Sequence, residues 1–174
     1  MWNHFSGKSP ALISDDHLRA IGAVVVNWSV MEMTLETVIL GLYEVSPDRG
    51  LVLTNNISFQ SKLTILRILA EHGGVKDEAE AANLKSLLKR IEDVGNSRNT
   101  IVHSLWSASK TQGLAHRHLI KVRGKRLTLK RENVALSEIE ELSTRILTLR
   151  KQLTDFAVRV NCWPDMPGME KPAE

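Results

Sequence analysis

The strongest constraint on the fold is the spacing of apolar residues, which recur every three or four positions along several long stretches of the chain. A spacing of three and four places apolar side chains on one face of an α-helix. The first and longest such stretch contains Leu18, Ile21, Val25, Trp28, Leu35, Ile39 and Leu42. The sequence therefore predicts a long amphipathic helix near its beginning.

Capping signals predict where the first three helices begin and end. Ser14 is a typical N-cap for the first helix, and Ser46 followed by Pro47 opens a short second helix. A third helix is expected to begin near Ser58 and to end at Gly73, because glycine commonly ends a helix.

Two further helices follow in the second half of the chain. One is expected over residues 77–105, with Leu84, Leu87, Ile91, Val94, Ile101 and Leu105 on one face. The last is expected to begin at a capping box formed by Ser137 and Glu140. These elements predict an all-α fold, an antiparallel bundle of four to five helices, with one inserted β-hairpin.

The predicted hairpin covers residues 118–131, where apolar and basic residues alternate around Gly124-Lys125. Glycine at the first position of a two-residue loop suits a type II′ turn. This turn pairs Arg123 with Arg126 and gathers two apolar cross-strand pairs on one face, which we expect to point inward: Val122 with Leu127, and Ile120 with Leu129. The other face carries Lys121, Arg123, Arg126 and Lys130, and the like charges of Arg123 and Arg126 lead us to expect a bound anion beside this face.

Length and composition indicate a single domain. The 174 residues are 43% hydrophobic and 25% charged, which is ordinary for a globular protein and excludes wholesale disorder. We expect one domain over residues 1–174, with its core at about residues 14–161. Asn27, Glu32 and Glu36 interrupt the most apolar stretch, and no secretory signal is recognised. Together with a single cysteine, Cys162, these features predict a cytoplasmic protein without a membrane segment.

The distribution of charge is more informative than the net charge of +3. Residues 94–131 contain no Asp or Glu, yet they carry nine basic residues: Arg98, Lys110, Arg117, Lys121, Arg123, Lys125, Arg126, Lys130 and Arg131. A block of one sign favours a polyanionic partner. The alternative is a solvated basic face without a ligand.

Two charged residues interrupt the apolar stripes of the predicted helices. Glu32 falls between Trp28 and Leu35, and Arg98 falls between Val94 and Ile101. A lone charge in the interior is strongly unfavourable unless it is paired, so we expect Glu32 and Arg98 to meet. The pair is interpreted either as part of a functional site or as a purely structural ion pair.

Polar residues surround this arginine on its helix. Asn99 and His103 are four residues apart and share a helix face, with Asn96 on the same polar stripe. Arg98 and His103 are separated by roughly 140° around the helix. One substrate would therefore contact both only along a flank of the helix, or in a cleft closed by a second surface.

The Arg98-Asn99 dipeptide and His103 resemble the motif of the HEPN superfamily, the "higher eukaryotes and prokaryotes nucleotide-binding" helical domains. That motif is an arginine, four to six residues and then a histidine near the end of a long helix, with a polar residue, commonly asparagine, after the arginine. Here four residues separate Arg98 from His103. The resemblance extends over residues 15–160 through the order of the helices and an acidic residue, Glu32, on the first.

The resemblance implies an endoribonuclease that needs no metal or cofactor, in which a ribose 2′-hydroxyl attacks the adjacent phosphate. His103 would transfer a proton, Arg98 would stabilise the transition-state charge, and Asn99 would orient the phosphate or the histidine, with Asn96 and Glu32 in support. It further implies RNA or nucleotide as the ligand, a homodimer, and a toxin or defence role with a cognate antitoxin. The alternative is an inactive HEPN domain that binds nucleotide, RNA or a protein.

Other chemistry receives little support from the sequence. Phosphate-binding loops, dinucleotide fingerprints and nucleophile elbows are missing. His116 and His118 lie two apart on a strand and would bind a metal only weakly, so we interpret them as facing phosphate. Trp106 is expected to pack beneath the hairpin, with stacking on a base as the alternative.

Overall fold

The structure is a computed structural model that describes residues 13–54, 56–123 and 126–163. Side chains are described at these positions except 47, 48, 51, 53, 121–123, 126 and 127. Within the described residues, the elements are α1 (Asp15–Leu42), α2 (Pro47–Thr54), α3 (Phe59–Glu71), α4 (Glu78–Val102), β1 (Leu105–Ala108), β2 (Leu114–Arg123), β3 (Arg126–Ala135) and α5 (Leu136–Arg159). The chain is thus mostly helical, as predicted, but it is not all-α, because it also contains a three-stranded sheet.

The chain divides into two compact units. The first comprises Met1–Val26 and Ser97–Thr144, and the second comprises Asn27–Asn96 and Arg145–Glu174. The first unit holds the three strands with the start of α1 and the end of α4, and the second holds α2 and α3.

The helix starts mostly agree with the capping signals. The hydroxyl of Ser58 accepts a hydrogen bond of 3.1 Å from the amide of Ser61, and Gly73 has a φ of 85° just beyond the end of α3. The start of α5 differs from the prediction, because β3 runs directly into this helix. The amide of Ala135 donates to the carboxylate of Glu138 over 2.9 Å. The helix is therefore capped by Glu138 and not by the predicted capping box of Ser137 and Glu140.

Before Trp28 the buried face of α1 is offset by one residue from the predicted stripe, whereas Trp28, Leu35 and Ile39 are buried as predicted. It runs through His17, Ala20, Val24, Trp28, Met31 and Leu35, whereas Leu18 is exposed. Met31 therefore occupies the fully buried position between Trp28 and Leu35, and Glu32 lies beside it, half-buried. The apolar stripe predicted a core-facing position for Glu32, and the structure places it half-buried at the border of that face.

Within the part of the chain that the structure describes, α1 is long and apolar enough to cross a membrane by length and composition alone. Its most apolar 18-residue window has a mean hydropathy of 1.4, and 50% of that window is buried. The hydroxyls of Thr34 and Thr37 are also buried and donate to the carbonyls of Val30 and Met33. Half of this window and both threonine side chains are therefore packed inside the protein.

Helix α4 ends three residues earlier than predicted because the chain turns there into a strand. Leu105 was expected to be the last apolar position of the helix, but it begins β1 and pairs with His118 of β2. The sheet has the order β1-β2-β3 and is antiparallel throughout.

The predicted register of the hairpin is confirmed. Arg123 pairs with Arg126, Val122 with Leu127, and Ile120 with Leu129. The turn at residues 124 and 125 lies outside the described residues, so its type stays a prediction.

The face of the hairpin that was expected to point inward is exposed where its side chains are described. Ile120 is 52% exposed and Leu129 is 64% exposed, so the inward prediction was wrong for this pair. The opposite face is buried at the base of the sheet, where Ala115 and Val134 pair with each other and are almost inaccessible. The alternation of apolar residues thus predicted the strand pairing correctly, but it did not predict which face of the hairpin is buried.

Candidate functional site

The motif residues lie at the end of α4, where the helix gives way to the sheet. The amide of His103 donates to the carbonyl of Asn99 over 3.0 Å, which continues the helical pattern for one residue beyond Val102. Asn99 and His103 are both exposed and lie one turn apart on the same face. The predicted sharing of a face by these two residues is therefore present.

Asn99 and His103 line one depression together with residues of β1 and β2. Its volume is about 370 Å³, at the lower end of the range typical of small-ligand pockets. The lining residues are Asn99, Thr100, His103, Ser104, Leu105, His118, Leu119 and Ile120. The depression combines two imidazoles, an amide and two hydroxyls with an aliphatic rim.

Arg98 is connected to this depression through its neighbour. Its side chain is half-buried, and its Nη1 donates a hydrogen bond of 3.0 Å to Oδ1 of Asn99. This bond leaves the amide nitrogen of Asn99 as a donor and fixes the orientation of that amide. Arg98 itself does not line the depression.

His118 joins the site from β2 and is held by β1. Its Nε2 lies 2.8 Å from the hydroxyl of Ser107, with which it shares a hydrogen bond. His116, two residues earlier on the same face, bonds instead through Nδ1 to Oδ1 of Asn133 over 2.8 Å and lies outside the lining. The two histidines therefore have separate partners, and only His118 lines the depression, so the interpretation that both histidines face phosphate does not extend to His116 at this site.

The indole of Trp106 is bonded to the end of α4, and its packing beneath the hairpin stays a prediction. Its side chain is half-buried, and its indole Nε1 donates to the carbonyl of Ile101 over 3.0 Å. This bond satisfies a carbonyl in the last turn of α4 and ties β1 to the helix that carries the motif.

The basic block is partly neutralised by an acid that lies directly after it in the sequence. Glu132 accepts hydrogen bonds from Arg117 and from Lys130, the latter over 2.7 Å. These two cations lower the pKa of Glu132 to about 2. Lys130 remains largely exposed but is bound to this carboxylate, so it is less available to a phosphate than the sequence suggested.

The other predicted residues are distributed more widely. Asn96 is exposed on α4 and does not line the depression, and Glu32 accepts a hydrogen bond from Trp28. Glu32 belongs to the second unit and Arg98 to the first, and their pairing stays a prediction. The side chains of Lys121, Arg123 and Arg126 lie outside the described residues, although their backbones form the hairpin.

A larger depression of about 710 Å³ in the same unit lies at the start of α1. It contains Ser14, whose hydroxyl lies 2.7 Å from Nδ1 of the buried His17. This contact closes the first turn of α1, so we interpret the pair as a cap rather than a reactive dyad. Among the described residues no group of three or more His, Cys, Asp or Glu side chains is placed to hold a metal ion.

A comparison with protein-family models, with curated protein sequences and with solved structures finds no significant match for this chain. The resemblance to HEPN domains therefore depends on the order of the helices and on four residues: Glu32, Arg98, Asn99 and His103. The structure is mainly helical, with a small antiparallel sheet and a depression lined by two histidines.

Proposed function

We propose that this protein is a metal-independent endoribonuclease of the HEPN type. The observation that supports this function is the shared depression of Asn99 and His103, with the Arg98 guanidinium bound to the same asparagine. A phosphate in this depression would contact an amide donor and an imidazole at once. The proposed fold family is the antiparallel HEPN helical bundle, elaborated by the sheet.

The chemistry assigned to the site is attack of a ribose 2′-hydroxyl on the adjacent phosphate. Imidazole is suited to proton transfer because its ordinary pKa lies near neutrality. Arg98 stabilises the charge that accumulates on the phosphate in the transition state, either directly or through Asn99. No step of this reaction requires a group that the chain itself does not supply.

The test is cleavage of a mixed RNA pool in the presence of EDTA. Wild-type protein is expected to cleave it, and Arg98→Ala and His103→Ala are expected to lower the rate by at least about 100-fold. Arg90→Ala is the matched control, because Arg90 is exposed on the same helix but outside the depression. Full activity in both motif variants would contradict the proposal.

The proposal includes a homodimer in the cytoplasm, with a role as a toxin or defence component and a cognate antitoxin as partner. Arg98 and His103 point in directions about 140° apart, so a second surface is needed to close a cleft over both. A second copy would supply that surface with the two His103 side chains facing one basic cleft. Light scattering that shows only monomer at micromolar concentration would count against this assembly.

The alternative is an inactive HEPN domain that binds nucleotide, RNA or a protein partner. The aliphatic rim favours it, because Leu105 is 62% exposed and Ile120, which lines the same depression, is 52% exposed. Exposed apolar side chains grouped at a concave site are typical of binding surfaces. RNA binding without cleavage in the EDTA assay would decide for this alternative.

A further inference from the structure

We propose that His118 is the second proton-transfer group of this site and acts together with His103. This inference rests on the proposed RNA cleavage and extends it to a residue outside the Arg98–His103 motif. It is carried by one juxtaposition: a strand histidine and the motif histidine line the same depression of about 370 Å³.

The two imidazoles come from separate elements of the fold. His103 follows the last turn of α4, whereas His118 lies on β2, paired with Leu105 of β1. Asn99 and His103 lie one turn apart and approach a ligand from the same helix. His118 approaches it from the sheet, so a phosphate in the depression can be contacted from two directions.

Cleavage by a 2′-hydroxyl needs two proton transfers at two different oxygens. One neutral imidazole accepts the proton of the 2′-hydroxyl as the bond from the 2′-oxygen to phosphorus forms. The bond from phosphorus to the 5′-oxygen breaks, and this oxygen takes a proton from the second imidazole, which must be protonated. The products are a 2′,3′-cyclic phosphate and a 5′-hydroxyl, and the number of protons on the two histidines is unchanged.

His118 lines the depression, and its neighbour His116 does not. The hydroxyl of Ser107 holds Nε2 of His118 over 2.8 Å, which fixes the ring and leaves Nδ1 as the second ring nitrogen. His116 is bonded to Asn133 outside the depression. Two titratable or charged groups are placed next to His118 by the fold. Arg131 is its cross-strand partner on β3, and His103 lines the same depression.

The test compares His118→Gln with His116→Gln, which removes an imidazole from the same strand and the same face. With a short oligouridylate substrate in EDTA, His118→Gln is expected to lower kcat by about 100-fold or more and to change KM little. The wild-type rate is expected to rise and then fall with pH, and His118→Gln is expected to lose one of these two limbs. His116→Gln is expected to keep the wild-type rate and both limbs, and circular dichroism checks that each variant is folded.

A binding measurement provides a readout besides activity. An oligodeoxyuridylate lacks the 2′-hydroxyl and cannot be cleaved by this route. In wild-type protein it is expected to shift the imidazole Cε1 proton resonances of His103 and His118, and to leave that of His116 in place.

The outcomes separate this inference from the proposed function. If the wild type leaves RNA intact, or if His103→Ala cleaves it at the normal rate, both the nuclease assignment and the role of His118 are overturned. If His103→Ala abolishes cleavage while His118→Gln retains the wild-type kcat and both limbs, only the role of His118 is overturned.

Discussion

The indole Nε1 of Trp28 donates a hydrogen bond of 3.0 Å to Oε1 of Glu32, one turn further along α1. The same indole is almost completely buried and packs edge-on against Phe59, with ring centroids 4.8 Å apart. A buried indole N–H needs an acceptor, and Glu32 provides it within its own helix. The acid that interrupts the apolar stripe thus has a structural partner whether or not Arg98 also contacts it.

A double-mutant cycle tests the predicted pairing of Glu32 with Arg98. Glu32→Gln and Arg98→Gln are made singly and together, because glutamine retains an acceptor for Trp28. We expect a coupling free energy above about 0.5 kcal/mol from urea unfolding, since residues that share an ion pair are not additive. A cycle of Glu32→Ala with Trp28→Phe is the positive control, because alanine removes the acceptor of the indole. Coupling in that cycle together with additivity in the Glu32→Gln and Arg98→Gln cycle would show that the Glu32–Arg98 pair does not form.

The packing around Trp28 predicts that a side chain at Gly95 destabilises the protein. A Cβ at Gly95 would lie 2.8 Å from Cη2 of Trp28 and 2.9 Å from Cε1 of Phe59, both in ring systems that cannot yield easily. Gly95→Ala is therefore expected to lower the free energy of unfolding by about 1–3 kcal/mol despite the better helix propensity of alanine.

The control for this substitution lies on another helix. A Cβ at Gly22 would meet nothing within 4 Å, so Gly22→Ala is expected to raise the free energy of unfolding by about 0.5–1 kcal/mol. Urea unfolding of the two variants measures both effects. Stabilisation by Gly95→Ala would mean that Trp28 and Phe59 can move apart without cost.

Helix positions and hairpin register were predictable because they depend on local patterns. Ser58 caps α3 through a bond to a residue three positions away, and apolar pairing around Arg123 and Arg126 fixes the register of β2 with β3. Asn99 and His103 were placed on one face by helical period alone. None of these inferences requires knowledge of which elements touch.

The features that sequence reasoning missed depend on contacts between distant residues. β1 has four residues, too few to establish an alternation against the helical pattern that precedes them. The buried ion pair of Glu36 with Lys62 joins α1 to α3, and neither residue stands out in its own helix. His118 shares a depression with His103 because β2 pairs with β1, which directly follows the motif. Since β1 was not predicted, the sequence did not indicate that these two histidines line one site.

The low pKa of Glu132 predicts how stability changes in acid. Arg117 and then Lys130 lower the pKa of this carboxyl from 4.5 to about 2 in the folded protein. A pKa that is lower in the folded than in the unfolded chain contributes stability above pH 4.5, and that contribution is lost as the pH falls toward 2. As the pH is lowered from 4.5 to 2, the midpoint temperature of thermal unfolding is expected to decrease more steeply for the wild type than for Glu132→Gln.

Asp155→Asn is the control for this pH dependence. Asp155 also forms an ion pair, with Lys151 at 2.8 Å, but both of these residues are exposed and lie on the same helix. Its removal is expected to leave the acid slope of the midpoint temperature nearly unchanged. Parallel curves for the wild type and Glu132→Gln from pH 5 to pH 2 would contradict the assigned cause.

The hairpin is predicted to hold RNA by its backbone phosphates. Arg123 pairs directly with Arg126, and two like charges placed opposite each other are unfavourable unless an anion lies beside them. Replacing both with Gln, in a His103→Ala background that prevents cleavage, should weaken oligouridylate binding and reduce the slope of log Kd against log salt by about 1.4.

Replacing Arg90 and Arg145, two exposed arginines on α4 and α5, removes the same charge and should leave the slope nearly unchanged. Fluorescence anisotropy over a salt titration measures both. Equal slopes for the two double variants would assign these hairpin charges to the prevention of aggregation at a sheet edge rather than to RNA.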